Sequence, residues 1–316
     1  MTPIATGWTP VVVERIIDWA EDVKQFTLRH AGGTALPSAG PGSHVDVRLP
    51  DGQVRQYSLC DGPDRAPATC TIAVRRAQAS RGGSQAMHAL QPGASLELGP
   101  ARNLFPLHEG PAPAVLVGAG IGITPLLSMV RHLRADGRAH RLYQFARSPA
   151  RALLADDDDG GQLFCGLDRM QARAVLDDIV QQAPADARFY VCGPPGFMAE
   201  VQAAVAAQRP QAEVASERFE PAAAADPGPA FVVRLARRGL AVPVPAGRSI
   251  LQALAGHGVQ VPSACESGLC GTCLTGVLAG LPDHRDDYLS ADEKAANTSI
   301  CVCVSGSVTP ELVLDL

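Results

Sequence analysis

The stretch Cys265-Glu266-Ser267-Gly268-Leu269-Cys270-Gly271-Thr272-Cys273 decides how the C-terminal part of the chain folds. Four residues separate its first two cysteines and two separate the next pair, the spacing of a plant-type [2Fe-2S] loop. Two sulfide-bridged irons need four thiolates, so a short loop can wrap three of them around the irons while a returning strand supplies the last. Cys301 and Cys303 both qualify as that last ligand, because residues i and i+2 of a strand face the same way. Gly268 and Gly271 keep the loop free of side chains that would clash, which lets backbone N–H groups approach the sulfurs; Ser267 and Thr272 can donate as well. Zinc favours two Cys-x2-Cys elements, and only one such pair stands here. Of nine cysteines, five fall between Cys265 and Cys303. An odd, clustered set fits metal ligation in a reducing compartment, the cytoplasm, better than a disulfide framework.

Outward from the loop, strand-like runs at 231–235, 241–244 and 312–314 and a short helix from about Ser249 make a compact C-terminal domain, residues 231–316. A Pro/Ala/Gly-rich linker, 221–230, precedes it. Residues 110–220 read as an α/β parallel-sheet domain. Ala114 to Val117 form a buried strand, a glycine turn follows, and Leu126, Leu127, Val130 and Leu133 recur at helical spacing. A second unit of this kind runs from Arg188 to Val191 through Gly193-Pro194-Pro195 into Phe197, Met198, Val201 and Val205. Residues 1–109 alternate apolar and polar positions, as at Val45, Val47 and Leu49, with turns such as Pro50-Asp51-Gly52 between the runs, the pattern of an antiparallel β-barrel.

Gly118-Ala119-Gly120-Ile121-Gly122-Ile123-Thr124-Pro125 follows a buried strand and opens a helix, where bare N–H groups and the helix dipole attract a pyrophosphate. Thr124 is expected to cap that helix and Pro125 to suit its first turn. A second turn, Cys192-Gly193-Pro194, ends another strand of the same sheet, and open α/β sheets bind ligands at the carboxyl ends of their strands. Cys192 would then sit near the reacting end of a nicotinamide. In the barrel, Arg55-Gln56-Tyr57-Ser58 and Arg81-Gly82-Gly83-Ser84 suit a phosphorylated flavin. Arg55 and Arg81 would neutralise the phosphate, the N–H groups at Gly82 to Ser84 would hold it, and Tyr57 and Ser58 would meet the ring.

These pieces in this order, RQYSL at 55–59, SRGGS at 80–84, GAGIGITP at 118–125, CGP at 192–194, CESGLCGTC at 265–273, DHRD at 283–286 and the closing LVLDL, resemble the phthalate dioxygenase reductase family, in particular its vanillate demethylase reductase branch. The resemblance covers nearly the whole chain. It implies an FMN-binding barrel, an NADH-binding domain and an α+β β-grasp ferredoxin-like domain carrying the [2Fe-2S] cluster. Among the cofactor contacts it brings in are Ala73, Val74 and Arg75, Arg147 and Phe219, the last as a shield for the flavin ring. Ser58, Thr124 and Cys192 are the candidates at the reacting atoms. Cys303 is implied as the fourth ligand, because Cys303-Val304-Ser305 matches the family's cysteine placement before LVLDL. Gly306 stands where the family usually has arginine. DHRD marks the family and otherwise reads as a solvated charged loop.

The implied function is an NADH-dependent reductase passing electrons from NADH to FMN to [2Fe-2S] and on to a terminal Rieske-type oxygenase, with the chain a monomer. A haem monooxygenase is an alternative acceptor, and a non-catalytic redox sensor is the reading from another class. A length of 316 residues fits several domains, and 46% hydrophobic with 19% charged residues is a globular composition. A net charge of -5, with no Lys/Arg run interleaved with aromatics, argues against nucleic acid as a partner. No stretch reads as an export signal or a membrane span.

Overall fold

The computed structural model describes residues 7–62, 67–77, 82–154, 161–219 and 228–316. Ser80, Arg81 and much of the linker lie outside the described residues. The chain divides into two compact units, Met1–Phe219 and Glu220–Leu316.

The first unit begins with β1 (Thr9–Ala20), β2 (Val23–His30), β3 (His44–Arg48), β4 (Val54–Ser58), β5 (Thr69–Arg75), α1 (Gly83–Ala89) and β6 (Ser95–Leu98). The strands form one sheet in the order β4-β3-β6-β1-β2-β5, every neighbouring pair antiparallel. A bridge between Leu59 and Ile72 and a bond from Cys60 N–H to the Thr71 carbonyl (2.9 Å) join its two ends, which closes the sheet as a barrel. Period-2 alternation fills the inside: Val11 and Val13, Phe26 and Leu28, Val45 and Val47, Ile72 and Val74, Leu96 and Leu98 are all buried.

The same unit continues with β7 (Ala114–Ala119), α2 (Ile123–Ala135), β8 (His140–Ala146), β9 (Gln162–Cys165), α3 (Arg169–Gln182), β10 (Arg188–Cys192), α4 (Pro195–Gln208) and β11 (Val214–Glu217). These strands form a parallel sheet in the order β11-β10-β7-β8-β9. Every residue of β7 is buried, as a central parallel strand covered on both faces requires. On one face Leu126, Leu127, Val130 and Leu133 of α2 join Val23, Cys60, Ala73 and Phe105 from the barrel in one core, and α3 and α4 cover the other. The strand order reverses between β7 and β10, where such sheets open a crevice.

The second unit holds β12 (Phe231–Leu235), β13 (Leu240–Val244), α5 (Ile250–Gly256), β14 (Leu274–Ala279), β15 (Pro282–Asp283), α6 (Ala291–Ala296), β16 (Ser299–Cys301), β17 (Gly306–Ser307) and β18 (Glu311–Leu314). Its main sheet runs β13-β12-β18-β14-β16, with β12 and β18 parallel and the other pairs antiparallel. Ser249 caps α5 in a reciprocal box with Gln252, and Ile250, Ala253 and Leu254 bury the helix against the sheet. This is the expected α+β grasp. The cysteine loop leads directly into β14, and Cys301 closes the strand paired with it.

Candidate functional site

In the second unit Cys270, Cys273, Cys301 and Cys303 are buried and Cys265 is half-buried. Their sulfurs gather in two groups within hydrogen-bonding reach, Cys265 with Cys270, and Cys273 with Cys301 and Cys303. In each group one thiol is held down by its neighbours: Cys265 by Cys270 and then Ser267, and Cys273 by Cys301 and Cys303. Their proton-sharing partners Cys270, Cys301 and Cys303 are pushed up. Amide N–H groups of Ser267 and Thr272 point at the sulfurs of Cys265 and Cys270, each at 3.4 Å. Gly268 and Gly271 take φ of +74° and +68°. A Cβ on Gly271 would lie 2.2 Å from the Tyr288 ring, so the loop closes only with glycine there.

A pair and a trio of thiols suit two irons that take two thiolates each, with one of Cys301 and Cys303 to spare, so the donor set fits a [2Fe-2S] cluster better than tetrahedral zinc. Cys303 lies within electrostatic reach of the Gly268 amide and Cys265 as well as of Cys273, whereas Cys301 lies within reach of Cys273, Cys303 and the Asp286 carboxylate.

In the first unit both glycine turns meet at the reversal between β7 and β10. Gly118 pairs with Cys192, and Cys192 with Glu217, which aligns three strand ends. A Cβ on Gly122 would lie 2.5 Å from the Cys192 carbonyl oxygen, and one on Gly193 would lie 3.0 Å from Ala119 and Phe197. The turns therefore interlock through bare backbone. The helix cap differs from the sequence expectation: α2 starts at Ile123 with Gly122 in the cap position, and Thr124 lies inside its first turn. The Thr124 hydroxyl donates to the Ile121 carbonyl (2.9 Å), because once Thr124 has helical geometry its oxygen can only reach back. Pro125 occupies the first turn as expected. Cys192 is fully buried and its thiol is pushed up by burial and then by Glu217. Arg147, just past β8, and Phe219, two residues past β11, are exposed.

The barrel supplies a slot beside this crevice's unit-mates. Beyond the Leu59–Ile72 bridge, β4 and β5 share no ladder bonds, so the backbone edges of Arg55 to Ser58 and of Ala73 to Arg75 are left facing one another. Ser58, Ala73 and Val74 are buried, Arg75 is exposed, and burial pushes the Tyr57 phenol up. Gly82 is left-handed (φ +91°) and opens α1. A Cβ on Gly83 would lie 2.4 Å from Arg55 Nε, so the guanidinium stem lies flat against the start of α1, and Ser84 Oγ accepts from Ala77 N–H (3.1 Å). A guanidinium against the amide turn that opens α1 fits a phosphate monoester such as that of FMN.

Two features escape sequence reasoning. His44, the cross-strand partner of Ser58, places Nδ1 3.6 Å from Glu217 Oε1, and both side chains are largely buried. His44 Nε2, Glu217 Oε2 and Gln56 Nε2 are buried without hydrogen-bond partners, orphaned polar atoms on the strands that carry Ser58 and Cys192 and on their neighbours. Gln144 in β8 is fully buried; its Oε1 accepts from Leu153 and Leu154 N–H (3.0 and 2.9 Å) and its Nε2 reaches the Gly120 carbonyl (3.4 Å). It ties the glycine turn to the segment after β8. No helix among the described residues is long and apolar enough to cross a membrane.

A chain that sets amide turns at a sheet reversal beside an open barrel slot, and gathers thiols in a ferredoxin-like second unit, is built as a modular iron-sulfur oxidoreductase. The family model for the 2Fe-2S iron-sulfur cluster binding domain matches residues 233–306. The vanillate O-demethylase oxidoreductase of Pseudomonas putida is 39% identical over 97% of this chain and 99% of its own length. The structure of phthalate dioxygenase reductase, titled a modular structure for electron transfer from pyridine nucleotides to [2Fe-2S], superposes at a TM-score of 0.75 with 36% identity over 98% of both chains. An intact type IV self-sufficient cytochrome P450 monooxygenase superposes at 0.79 with 31% identity over 98% of this chain and 41% of its own. The chain belongs to the phthalate dioxygenase reductase family.

Proposed function

We propose that this chain is the reductase component of an aromatic oxygenase or demethylase system, passing electrons from NADH through FMN and a [2Fe-2S] cluster to a Rieske-type terminal oxygenase. The gathering of the loop thiols in two groups carries this reading, since it gives each of two irons its own thiolates. Bound together, the three groups turn a two-electron hydride into single electrons. The chain's own residues hold and orient them. The amides between Gly118 and Thr124 and the Cys192–Pro194 turn seat the pyrophosphate and nicotinamide, with Arg147 at the sheet edge. Arg55, the Gly82–Ser84 amides and Arg81 hold the flavin phosphate; Gln56, Tyr57, Ser58 and the edge of Ala73, Val74 and Arg75 orient the ring, and Phe219 shields it. Cys265, Cys270, Cys273 and Cys303 ligate the irons. Cys192 stays a neutral thiol, so its part is steric. The chain is read as monomeric and cytoplasmic.

Full-length coverage of a self-sufficient P450's reductase-like portion favours a second acceptor, a haem monooxygenase, with the same electron path. Reconstitution with each type of acceptor separates the two. For the common core, Cys270→Ser is expected to abolish reduction of the acceptor protein and to leave NADH-driven ferricyanide reduction within about twofold of wild type. Loss of both activities would contradict the division of labour, and cofactor extraction with a visible spectrum identifies the flavin.

A further inference from the structure

Asp283-His284-Arg285-Asp286 is not a solvated loop throughout: the Asp286 side chain is 0% exposed. Its Oδ2 accepts from Leu289 N–H (2.8 Å) and its Oδ1 from the Ser305 hydroxyl (3.3 Å), two residues past Cys303. Behind the carboxylate, its backbone lies against the cysteine loop. A Cβ on Gly268 would be 3.0 Å from Asp286 Cα, and Asp287 N–H donates to the Gly268 carbonyl (3.0 Å). Arg285 N–H donates to Ser305 Oγ (3.2 Å). One residue therefore joins the two segments that carry all the cysteines of the site. The charged groups around it are His284, whose Nδ1 is 3.8 Å from Oδ1, Lys294, which bonds the Asp286 carbonyl, and Arg285, which turns away to Asp283. None of these three side chains hydrogen-bonds the carboxylate.

Burying a carboxylate costs it hydration, and the hydrogen bonds from Leu289 N–H and the Ser305 hydroxyl offset that cost while its backbone closes against the cysteine loop. Negative charge beside a redox centre opposes the arrival of an electron, and net charge and hydrogen bonding are among the levers that set iron-sulfur potentials. We propose that Asp286 is a positioning residue of the iron-sulfur site, tying the cysteine loop to the Cys301–Ser305 segment while its buried charge holds the reduction potential down. This rests on the cluster assignment above.

The test uses full-length, cofactor-loaded protein: wild type, Asp286→Asn, Ser305→Ala and Asp283→Asn. Iron and acid-labile sulfide are assayed, and the cluster's midpoint potential is read by an EPR-monitored redox titration. Asp286→Asn should raise the midpoint relative to wild type, and Ser305→Ala, which strips a donor from the carboxylate, should lower it. Asp283→Asn, on a partly exposed carboxylate paired with Arg285, should leave it in place. An Asp286→Asn protein with full sulfide and an unmoved midpoint overturns the proposal. If that variant holds no cluster while Asp283→Asn does, the tie is supported, and Ser305→Ala decides the charge: a lowered midpoint supports it, an unmoved or raised one overturns it. Wild-type protein without labile sulfide would instead remove the cluster assignment itself.

Discussion

Cys60 and Cys70 in the barrel and Cys265 and Cys273 in the second unit are the same side chain in opposite surroundings. The barrel pair sits in apolar packing, and burial pushes both thiols up to about 12. The loop pair is also withdrawn from water, yet neighbouring thiols and, around Cys265, amide donors hold both below the ordinary thiol value. Burial alone thus makes cysteine a small hydrophobe, and burial among donors makes it a metal ligand.

The sharpest way to break this comparison is to exchange sulfur for oxygen on each side. Cys273→Ser should lose essentially all labile sulfide, whereas Cys60→Ser should retain it in full; equal losses would show that the loop is not special. Next in size, Gly122→Ala pushes a methyl into the Cys192 carbonyl, where backbone cannot yield as a side chain can. Overpacking of this kind costs about 1–3 kcal/mol, which, falling on the nucleotide-bound state, is roughly five- to 150-fold in kcat/KM for NADH, with sulfide content unchanged. Smallest at neutral pH, but signed, is the alkaline response of the first unit. Thiols whose folded pKa is raised bind protons that the unfolded chain releases above about pH 9, so stability is intact below that and falls as pH rises toward 12. Tyr57, pushed up by burial and only slightly countered by Arg55, acts in the same direction at the upper end. Both tryptophans, Trp8 and Trp19, belong to the barrel region, so their fluorescence in urea titrations reads this loss directly. A midpoint flat from pH 8 to pH 11 would mean that the barrel thiols are not held neutral.

Much of the site is legible along the chain because its chemistry is local. The cysteine spacing, the glycine turn after β7 and the arginine and tyrosine of β4 each lie within one short segment, and short segments carry their own geometry. Thr124 shows the limit: a threonine after a glycine turn suits a cap, but the helix begins two residues earlier than that reading needs. His44 with Glu217, and Asp286 with Ser305, were invisible because each pair joins segments far apart in sequence.

By itself the sequence determined the cysteine spacing, the glycine turns and the alternation that builds barrel, parallel sheet and grasp, since spacing and periodicity are properties of neighbouring residues. Only the tertiary structure decided that Cys303 lies within electrostatic reach of both thiol groups, that His44 and Glu217 keep orphaned polar atoms, and that Asp286 is buried. Burial and charge at a point are sums over whatever the fold brings there, and no stretch of chain contains that sum.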